Sequence, residues 1–274
     1  MVVEKIFLKD EFVAFEKEGN DAYITCYIQD NLSEMRRDNN KRPCVVVCPG
    51  GGYAFCSQRE AEPIALALLP MGFNVVILNY SVEPNRFPTA LLQVAATYEL
   101  INKYSDEWHI DTEKTAVMGF SAGGHLAAHY STCFDCDEVR SVFPVSRRPF
   151  ASILCYPVIS AYTPHEGSFI NLLGHFPQNE EMDKFSLEKQ VKENTPQAFI
   201  WHTAEDGAVP VENSLDYAKA LSKYNIPFEL HIYPFGDHGL STADKQTCDV
   251  INENIAGIKW LEALKKWAKI TFNI

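Results

Sequence analysis

One short stretch decides how the rest of the chain is interpreted: Gly119-Phe120-Ser121-Ala122-Gly123, which continues as Gly124-His125. An apolar run at 115–118 precedes it and predicts a buried strand, and an apolar run at 126–130 follows it and predicts a helix. A serine at the tip of such a turn holds its hydroxyl clear of the backbone, and the flanking glycines keep side chains out of the turn. The pattern predicts a nucleophilic serine if the chain also supplies a base. Otherwise it is a glycine-flanked turn with an incidental serine.

The bulk composition is that of a globular protein and excludes some classes of partner. The 274 residues are 46% hydrophobic and 22% charged, enough for a substantial core in one large domain or two small ones. The formal net charge is −12, and Lys and Arg form no dense cluster beyond short pairs. Nucleic acids and anionic membranes need a basic surface, so we expect neither as a partner. Small neutral substrates such as esters or sugars remain compatible with this charge.

The N-terminus and the cysteines predict a cytoplasmic protein with free thiols. Residues 1–10 contain four charged side chains and no uninterrupted apolar core, and no apolar stretch approaches the ~18 residues of a spanning helix. The eight cysteines of such a chain are expected to be unpaired. Cys133 and Cys136 form a C-x-x-C, for which a redox pair or half of a zinc site is the alternative.

Strand and helix patterns alternate along most of the chain and predict an α/β fold. An antiparallel hairpin is expected from 7–15 and 22–28, followed by buried strands at 43–48, 74–78, 114–118, 151–156, 198–202 and 228–233. Helical spacing occurs between them, at 60–71, 88–104, 122–131, 211–224 and 244–270. The prediction is a single domain over 1–274, with a mostly parallel eight-stranded sheet and helices on both faces. Residues 160–193 break the alternation and are expected to form an insertion, a candidate lid.

Three predicted strands end in residues that together make a nucleophilic site. They are Ser121, Asp206 in Glu205-Asp206-Gly207, and His238 in Gly236-Asp237-His238-Gly239. Sites in such sheets form at the carboxyl ends of strands. A serine hydroxyl needs a base to take its proton, and that base needs a carboxylate to orient it and to stabilise its cation. The order Ser, Asp, His along the chain fits this arrangement.

Alternatives exist for the acid and for the base. Glu205 is the main alternative to Asp206, whereas Asp237 is adjacent to His238 and neighbours in a loop usually point apart. His125 and His129 are four residues apart on one helix but lack the glutamate of a metal-binding H-E-x-x-H, so packing or surface roles are expected. His202 lies within a strand and is interpreted as a core histidine.

A glycine run ends the first central strand of the predicted sheet. Only glycine lets the backbone bend sharply and approach a ligand closely, so the N–H groups of Gly50-Gly51-Gly52 are candidates to stabilise an oxyanion, together with that of Ala122. The alternative is a phosphate-binding loop. Neither G-K-[ST] nor G-x-G-x-x-G follows the run, which disfavours that alternative.

Taken together, these segments resemble the α/β-hydrolase superfamily over about residues 20–269. Within it, the chain is similar to the esterase/lipase branch whose motif is H-G-G-G, and the stretches at 79–84 and 87–90 are similar to that branch's D-Y-R-L-A-P-E…F-P-A-A segment. Two residues depart from this branch, since Pro49 replaces the histidine and Ser81 replaces the arginine. The resulting P-G-G-G-Y form looks like a bacterial acetyl-esterase group related to acetylxylan esterases.

The resemblance implies a serine esterase that removes short acyl groups, acetyl in particular, from sugars or oligosaccharides. It implies Ser121 as nucleophile, His238 as base, Asp206 as the orienting acid, and Gly51, Gly52 and Ala122 as oxyanion donors. No metal or organic cofactor is expected. An amidase, formamidase or peptidase on the same triad is the first alternative, and a non-catalytic binding protein of the same fold is the second. A homo-oligomer is also open, with Trp260 or Trp267 on the last helix as an exposed interface marker.

Overall fold

The computed structural model describes residues 1–16, 19–36, 38–145 and 147–274, and one mixed sheet organises them. Its order is β1-β2-β4-β3-β5-β6-β7-β8. In chain order, the strands are β1 Val2–Phe7, β2 Tyr23–Ile28, β3 Arg42–Cys48, β4 Asn74–Asn79, β5 Ile110–Phe120, β6 Ala151–Cys155, β7 Gln197–Thr203 and β8 Phe228–Tyr233. β2 pairs antiparallel with both β1 and β4, and the other pairs are parallel. The predicted α/β-hydrolase sheet is confirmed.

Helices cover both faces of the sheet because side chains alternate along each buried strand. On β3, Val46 faces one core with side chains of α3 and α4, whereas Val45 and Val47 face a second core with side chains of α2 and α10. The helices are α1 Leu8–Glu11, α2 Glu62–Leu68, α3 Thr89–Lys103, α4 Ser121–Cys133, α5 Asp137–Val142, α6 Glu166–Leu173, α7 Glu180–Lys184, α8 Glu212–Lys223, α9 Glu253–Ala256 and α10 Trp260–Phe272.

The N-terminal hairpin is present, but its first strand lies earlier than predicted. Pairing runs from Val2 opposite Ile28 to Phe7 opposite Tyr23, and the backbone then turns into the short helix α1. Leu8 and Phe15 are buried from helical turns, so the apolar residues of 7–15 reach the core without forming a strand. The period-2 pattern was misleading there because short helical turns can also bury every few residues.

The last predicted helix, 244–270, is interrupted in the structure. Helices form only at α9 and α10, and turns and bends occupy 241–247. The Asp244 carboxylate accepts hydrogen bonds from Thr242 Oγ1 at 2.8 Å and from the Gln246 N–H at 2.9 Å. Such local bonds from Asp compete with the helical ladder.

The expectation of exposed tryptophans on the last helix is wrong. Trp260 is fully buried, stacks on Trp201 with ring centroids 5.0 Å apart, and donates its indole N–H to the Ser241 carbonyl at 3.0 Å. Trp267 is 8% exposed and packs against Phe199. Both side chains complete the core between α10 and the sheet and are unavailable as interface markers.

The 160–193 segment contains α6 and α7 and lies over α4 and the glycine run. Asn171 Nδ2 donates to the Gly52 carbonyl at 2.9 Å. His125 Nε2 lies 3.3 Å from the Phe185 carbonyl, and the His129 ring packs edge-on against the Phe185 ring with centroids 5.9 Å apart. Both histidines are buried, so they pack under this segment and are absent from the helix surface.

Other sequence features are placed as follows. All eight cysteines are free, including Cys133 and Cys136. Within the described ranges, no three or more His, Cys, Asp or Glu side chains group in a way that would hold a metal ion. None of the helices in those ranges combines the length and apolar character needed to cross a bilayer.

The buried histidines predict a pH dependence of stability. Burial lowers the pKa of His129 to about 3, whereas an unfolded histidine titrates near about 6.5. At a pH between these two pKa values, the unfolded chain binds more protons than the folded protein. The free energy of unfolding therefore has its full His129 contribution above about pH 6.5 and loses up to about 1.4 kcal/mol per pH unit below it. Urea unfolding between about pH 5 and pH 7 measures this slope.

Replacement of His129 should flatten that slope. We expect His129→Leu to remove up to one proton from the pH dependence. His175→Leu, at an exposed position, is the matched control and should leave the slope close to that of the wild type. An unchanged slope in His129→Leu would contradict the prediction.

Candidate active site

Ser121 lies at a strand-to-helix turn that sterics enforce. It joins β5 to α4 with φ of 52°, a left-handed conformation that a serine rarely adopts. A Cβ on Gly119 would lie 2.0 Å from the Gly123 carbonyl oxygen, and one on Gly123 would lie 2.1 Å from the Cys48 carbonyl oxygen. The two glycines are therefore required by backbone contact, and the turn presents the Ser121 hydroxyl at the carboxyl edge of the sheet.

The structure brings the three predicted residues into one hydrogen-bonded chain. His238 follows β8, and its Nε2 lies 2.7 Å from Ser121 Oγ. Its Nδ1 donates to Asp206 Oδ2 at 2.6 Å, and Asp206 follows β7. The Asp206 carboxylate is fully buried, whereas the His238 side chain is 22% exposed. The imidazole can therefore accept the serine proton while a buried charge orients it.

Asp206 is held in place by more than His238. Its Oδ1 accepts the N–H groups of Ala208 at 3.0 Å and Val209 at 2.8 Å, and His202 Nε2 lies 3.2 Å from its Oδ2. Burial alone would raise the pKa of Asp206, but hydrogen bonds from His202 and His238 outweigh it and hold the pKa well below its usual range. The two alternatives, Glu205 and Asp237, are exposed, and both ring nitrogens of His238 bond to other residues.

His202 is a core histidine, as predicted, but it also supports the acid. Its Nδ1 accepts from Ser214 Oγ at 2.8 Å, which leaves Nε2–H to donate toward Asp206 Oδ2 and the Val209 carbonyl. The spacing of four residues between His202 and Asp206, at the end of β7, was the available signal for this contact.

The glycine run forms a tight loop beside Ser121. Gly51 and Gly52 have φ values of +127° and +64°, and the Gly51 carbonyl accepts the N–H of Ala54 at 2.9 Å. The Gly50 N–H is bonded to Glu60, whereas no described residue accepts the N–H of Gly51 or Gly52. Ala122 follows Ser121 directly and is buried. These three N–H groups are the ones predicted as oxyanion donors, and that role remains a prediction.

The site opens into a cavity of about 750 Å³. Besides Ser121, His238 and the two glycines, its walls include side chains that motif analysis missed, namely Phe55, Gln58, Arg59, Glu60 and His165. His165 comes from the 160–193 segment, its Nδ1 lies 2.9 Å from Ser168 Oγ, and burial lowers its pKa. No local pattern marks these residues, because they reach the cavity through the packing of distant segments.

Comparison with known proteins assigns the family. The model of the BD-FAE family matches residues 32–221, more than half of the chain. The chain belongs to the BD-FAE family. The predicted resemblance to the acetyl-esterase and acetylxylan-esterase group of α/β hydrolases is thereby confirmed.

Two relatives of this BD-FAE chain have names that refer to xylan. Endo-1,4-beta-xylanase B of Butyrivibrio fibrisolvens is 40% identical over 243 residues, 84% of this chain and 38% of that protein. The acetylxylan esterase of Xylanibacter ruminicola is 30% identical over 229 residues, 81% of this chain and 44% of that protein. The chain therefore spans less than half the length of these two curated relatives.

A solved structure matches this BD-FAE chain over nearly its whole length. The acetyl ester-xyloside bifunctional hydrolase of Caldicellulosiruptor lactoaceticus superposes with a TM-score of 0.85 at 37% sequence identity. The match covers 99% of this chain and 97% of that one.

The geometry predicts that Asp206, and not Glu205, activates Ser121. We expect Asp206→Asn to slow phosphonylation of Ser121 by a fluorophosphonate about 10³–10⁴-fold, because the amide no longer stabilises the imidazolium or selects its tautomer. Labelling rates followed by intact-protein mass spectrometry measure the effect. Glu205→Gln is the matched control and should label at the wild-type rate. A large loss in Glu205→Gln with none in Asp206→Asn would reverse the assignment.

Proposed function

We propose that this protein hydrolyses short-chain esters, acetyl esters in particular, of sugars or oligosaccharides, and that the reaction passes through an acyl-enzyme on Ser121. The observation that carries the proposal is the chain of short contacts from Ser121 Oγ to His238 to Asp206, at 2.7 and 2.6 Å, beside a cavity lined by Gly51 and Gly52. A serine, a base and a buried acid in this arrangement perform acyl transfer.

In the first half-reaction, Ser121 Oγ attacks the ester carbonyl carbon while its proton passes to His238 Nε2. The buried Asp206 carboxylate stabilises the resulting imidazolium through Nδ1–H. The N–H groups of Gly51, Gly52 and Ala122 stabilise the negative charge on the carbonyl oxygen. The imidazolium then gives its proton to the departing alcohol oxygen, and the acyl group stays on Ser121.

In the second half-reaction, water attacks the acyl carbon. His238 Nε2 takes the proton of that water and returns it to Ser121 Oγ as the tetrahedral intermediate collapses. The carboxylic acid leaves and the site is restored. His238 carries every proton in this cycle, so the proposed reaction closes on the three side chains and the three N–H donors.

The cavity and the relatives support a hydroxylated alcohol as the leaving group. Gln58, Arg59 and His165 offer hydrogen-bonding groups at the walls, and Phe55, which is 60% exposed, offers an aromatic face. His165 places the 160–193 segment at the cavity, which supports its proposed role as a lid. Acetylxylan and acetyl esters of xylosides appear in the names of two relatives. We therefore propose acetylated xylose-type sugars as the substrate class.

Glycoside cleavage is not part of the proposal. That reaction usually needs two carboxyl groups that flank the scissile bond. Among the residues that line the cavity, Glu60 supplies the single carboxylate. We therefore do not assign to this chain the xylanase and xyloside activities named for its relatives.

Replacement of Ser121 tests the proposed nucleophile. Ser121→Ala should lower kcat for an acetyl ester such as 4-nitrophenyl acetate by about 10⁴–10⁶-fold, because no covalent intermediate can form. Steady-state kinetics at neutral pH measure the loss. Ser131→Ala is the matched control and should retain activity, because Ser131 lies on the same helix and its hydroxyl donates to the Ala127 carbonyl within that helix. Near-normal activity of Ser121→Ala would reject the mechanism.

An acyl-chain series tests the substrate class. We expect kcat/KM to be highest for acetate and at least about tenfold lower for octanoate, because longer acyl chains would bring methylenes against the polar groups of Gln58, Arg59 and His165 and displace their water. 4-Nitrophenyl esters from C2 to C8 give the series, and acetylated xylosides follow. Acetanilide and formanilide are the amide controls for the alternative activity. Faster turnover of the amides, or an optimum at long chains, would contradict the proposal.

A further inference from the structure

A buried carboxylate that the proposed mechanism does not use lies beside the nucleophile. Glu60 directly precedes the segment that leads into α2, and it is 3% exposed. Its Oε2 accepts the Gly50 N–H at 2.8 Å, and its Oε1 accepts the Tyr156 hydroxyl proton at 2.7 Å. Both oxygens act as acceptors, and no described Lys or Arg forms a salt bridge with this carboxyl group.

Burial of this carboxyl group is unfavourable for the stability of the fold. Burial raises the pKa of Glu60, and the hydrogen bonds from Tyr156 and Gly50, together with the nearby charges of His238 and Arg59, only partly counter that effect. A buried carboxylate without a salt-bridge partner is seldom favourable for stability alone. The identities of its two donors indicate a different use.

The first donor connects Glu60 to the predicted oxyanion loop. A Cβ on Gly50 would lie 2.6 Å from Glu60 Oε2 and 3.0 Å from Ser121 Cβ, so the Gly50 backbone is held between the carboxylate and the nucleophile. Gly51 and Gly52, whose N–H groups are the proposed oxyanion donors, follow immediately. A shift of Gly50 would therefore change the distance between these donors and Ser121.

The second donor connects Glu60 to the histidine loop. Tyr156 Oη accepts the Ser241 N–H at 2.9 Å, and its ring packs edge-on against His238 with centroids 5.1 Å apart. Ser241 is three residues after His238, and its hydroxyl donates to the Arg59 carbonyl, adjacent to Glu60. Tyr156 and Ser241 have φ of 36° and 52°, left-handed conformations that need support from their surroundings.

We propose that Glu60 is a positioning residue, which holds the oxyanion loop through Gly50 and the histidine loop through Tyr156 in one geometry around Ser121. The inference rests on the proposed function. Glu60 does not touch the reacting atoms, and it acts through the placement of groups that do. Misplacement of such groups by about 1 Å can cost about 10² in rate.

Isosteric variants test the two connections. Glu60→Gln keeps the volume but replaces one acceptor by a donor, and Tyr156→Phe removes the hydroxyl that joins Glu60 to Ser241. Each variant should lower kcat for 4-nitrophenyl acetate by about 10–100-fold and leave KM within about threefold of the wild-type value. The reason is that the variant loses more stabilisation of the transition state than of the bound substrate. Because Glu60 and Tyr156 act through the hydrogen bond between them, the kcat of the double variant should be little lower than that of the more impaired single variant.

Glu188→Gln is the matched control. Glu188 is also a largely buried carboxylate whose pKa burial raises, and it accepts a hydrogen bond from Ser160 Oγ at 2.9 Å. It does not line the cavity. Its replacement should leave kcat and KM at wild-type values, so a general effect of neutralising a buried carboxylate is separated from positioning.

A tetrahedral inhibitor separates positioning from a merely structural role. Phenylboronic acid forms a tetrahedral adduct on a nucleophilic serine, so its inhibition constant reports the oxyanion geometry. In Glu60→Gln and Tyr156→Phe, this constant should rise by the factor by which kcat/KM falls. Urea unfolding of the same samples shows that they are folded under the assay conditions.

Three outcomes would overturn the inference: wild-type kcat and boronate inhibition in Glu60→Gln, an equal loss in Glu188→Gln, or fully additive losses in the double variant. If Glu60→Gln does not fold, Tyr156→Phe decides by the same criteria. Fluorophosphonate labelling of Ser121 separates this inference from the proposed function. A wild type that is labelled but does not hydrolyse acetyl esters rejects only the function, and relative labelling rates of the variants then test Glu60. A wild-type Ser121 that is not labelled overturns both.

Discussion

The close approach of three backbone segments at the end of β5 is the constraint on which the site depends. No side chain fits at Gly119 or Gly123, because their Cβ atoms would overlap the carbonyls of Gly123 and Cys48. This contact lets α4 start directly against the ends of β3 and β5, with Ser121 in a left-handed conformation at the junction. The strain at Ser121 is maintained by a packed sheet on both sides, which over-determines the local backbone.

Around that junction, the parallel sheet brings together loops that are far apart in the chain. Ser121, Asp206 and His238 follow β5, β7 and β8, and the glycine run follows β3. Burial then gives their interactions strength, since hydrogen bonds and charges interact more strongly where water is excluded. Asp206 is stabilised as an anion by two backbone N–H groups and two imidazoles. Glu60 is stabilised by one N–H and one phenol. The site thus has two buried carboxyl groups with different surroundings: Asp206 is bonded to His238, and Glu60 is bonded to Gly50 and Tyr156.

Sequence patterns predicted the structure correctly where the spacing of apolar residues fits one kind of element. The strands at 43–48 and 74–78 are continuous apolar runs, and the structure places β3 and β4 there because both faces of these strands are buried. The patterns failed where two structures satisfy the same periodicity. Residues 8–15 bury Leu8 and Phe15 from helical turns, and the helical spacing after Asp244 is broken by that residue's own hydrogen bonds. Trp260 and Trp267 were misjudged because the side of a helix that meets the sheet depends on how the helix docks.

The sequence by itself indicated the family of the fold and gave Ser121, Asp206 and His238, in that order, as the candidate site residues, with Glu205 as the alternative acid. Each of these residues sits in a short motif whose glycines or strand ends follow from local sterics. Only the tertiary structure decided that Asp206 meets His238 while Glu205 and Asp237 face solvent, because loop conformation sets those directions. The same holds for His165 and Glu60, which reach the cavity from segments with no motif of their own. Their contacts depend on the packing of elements distant in sequence, and such packing has no local signature.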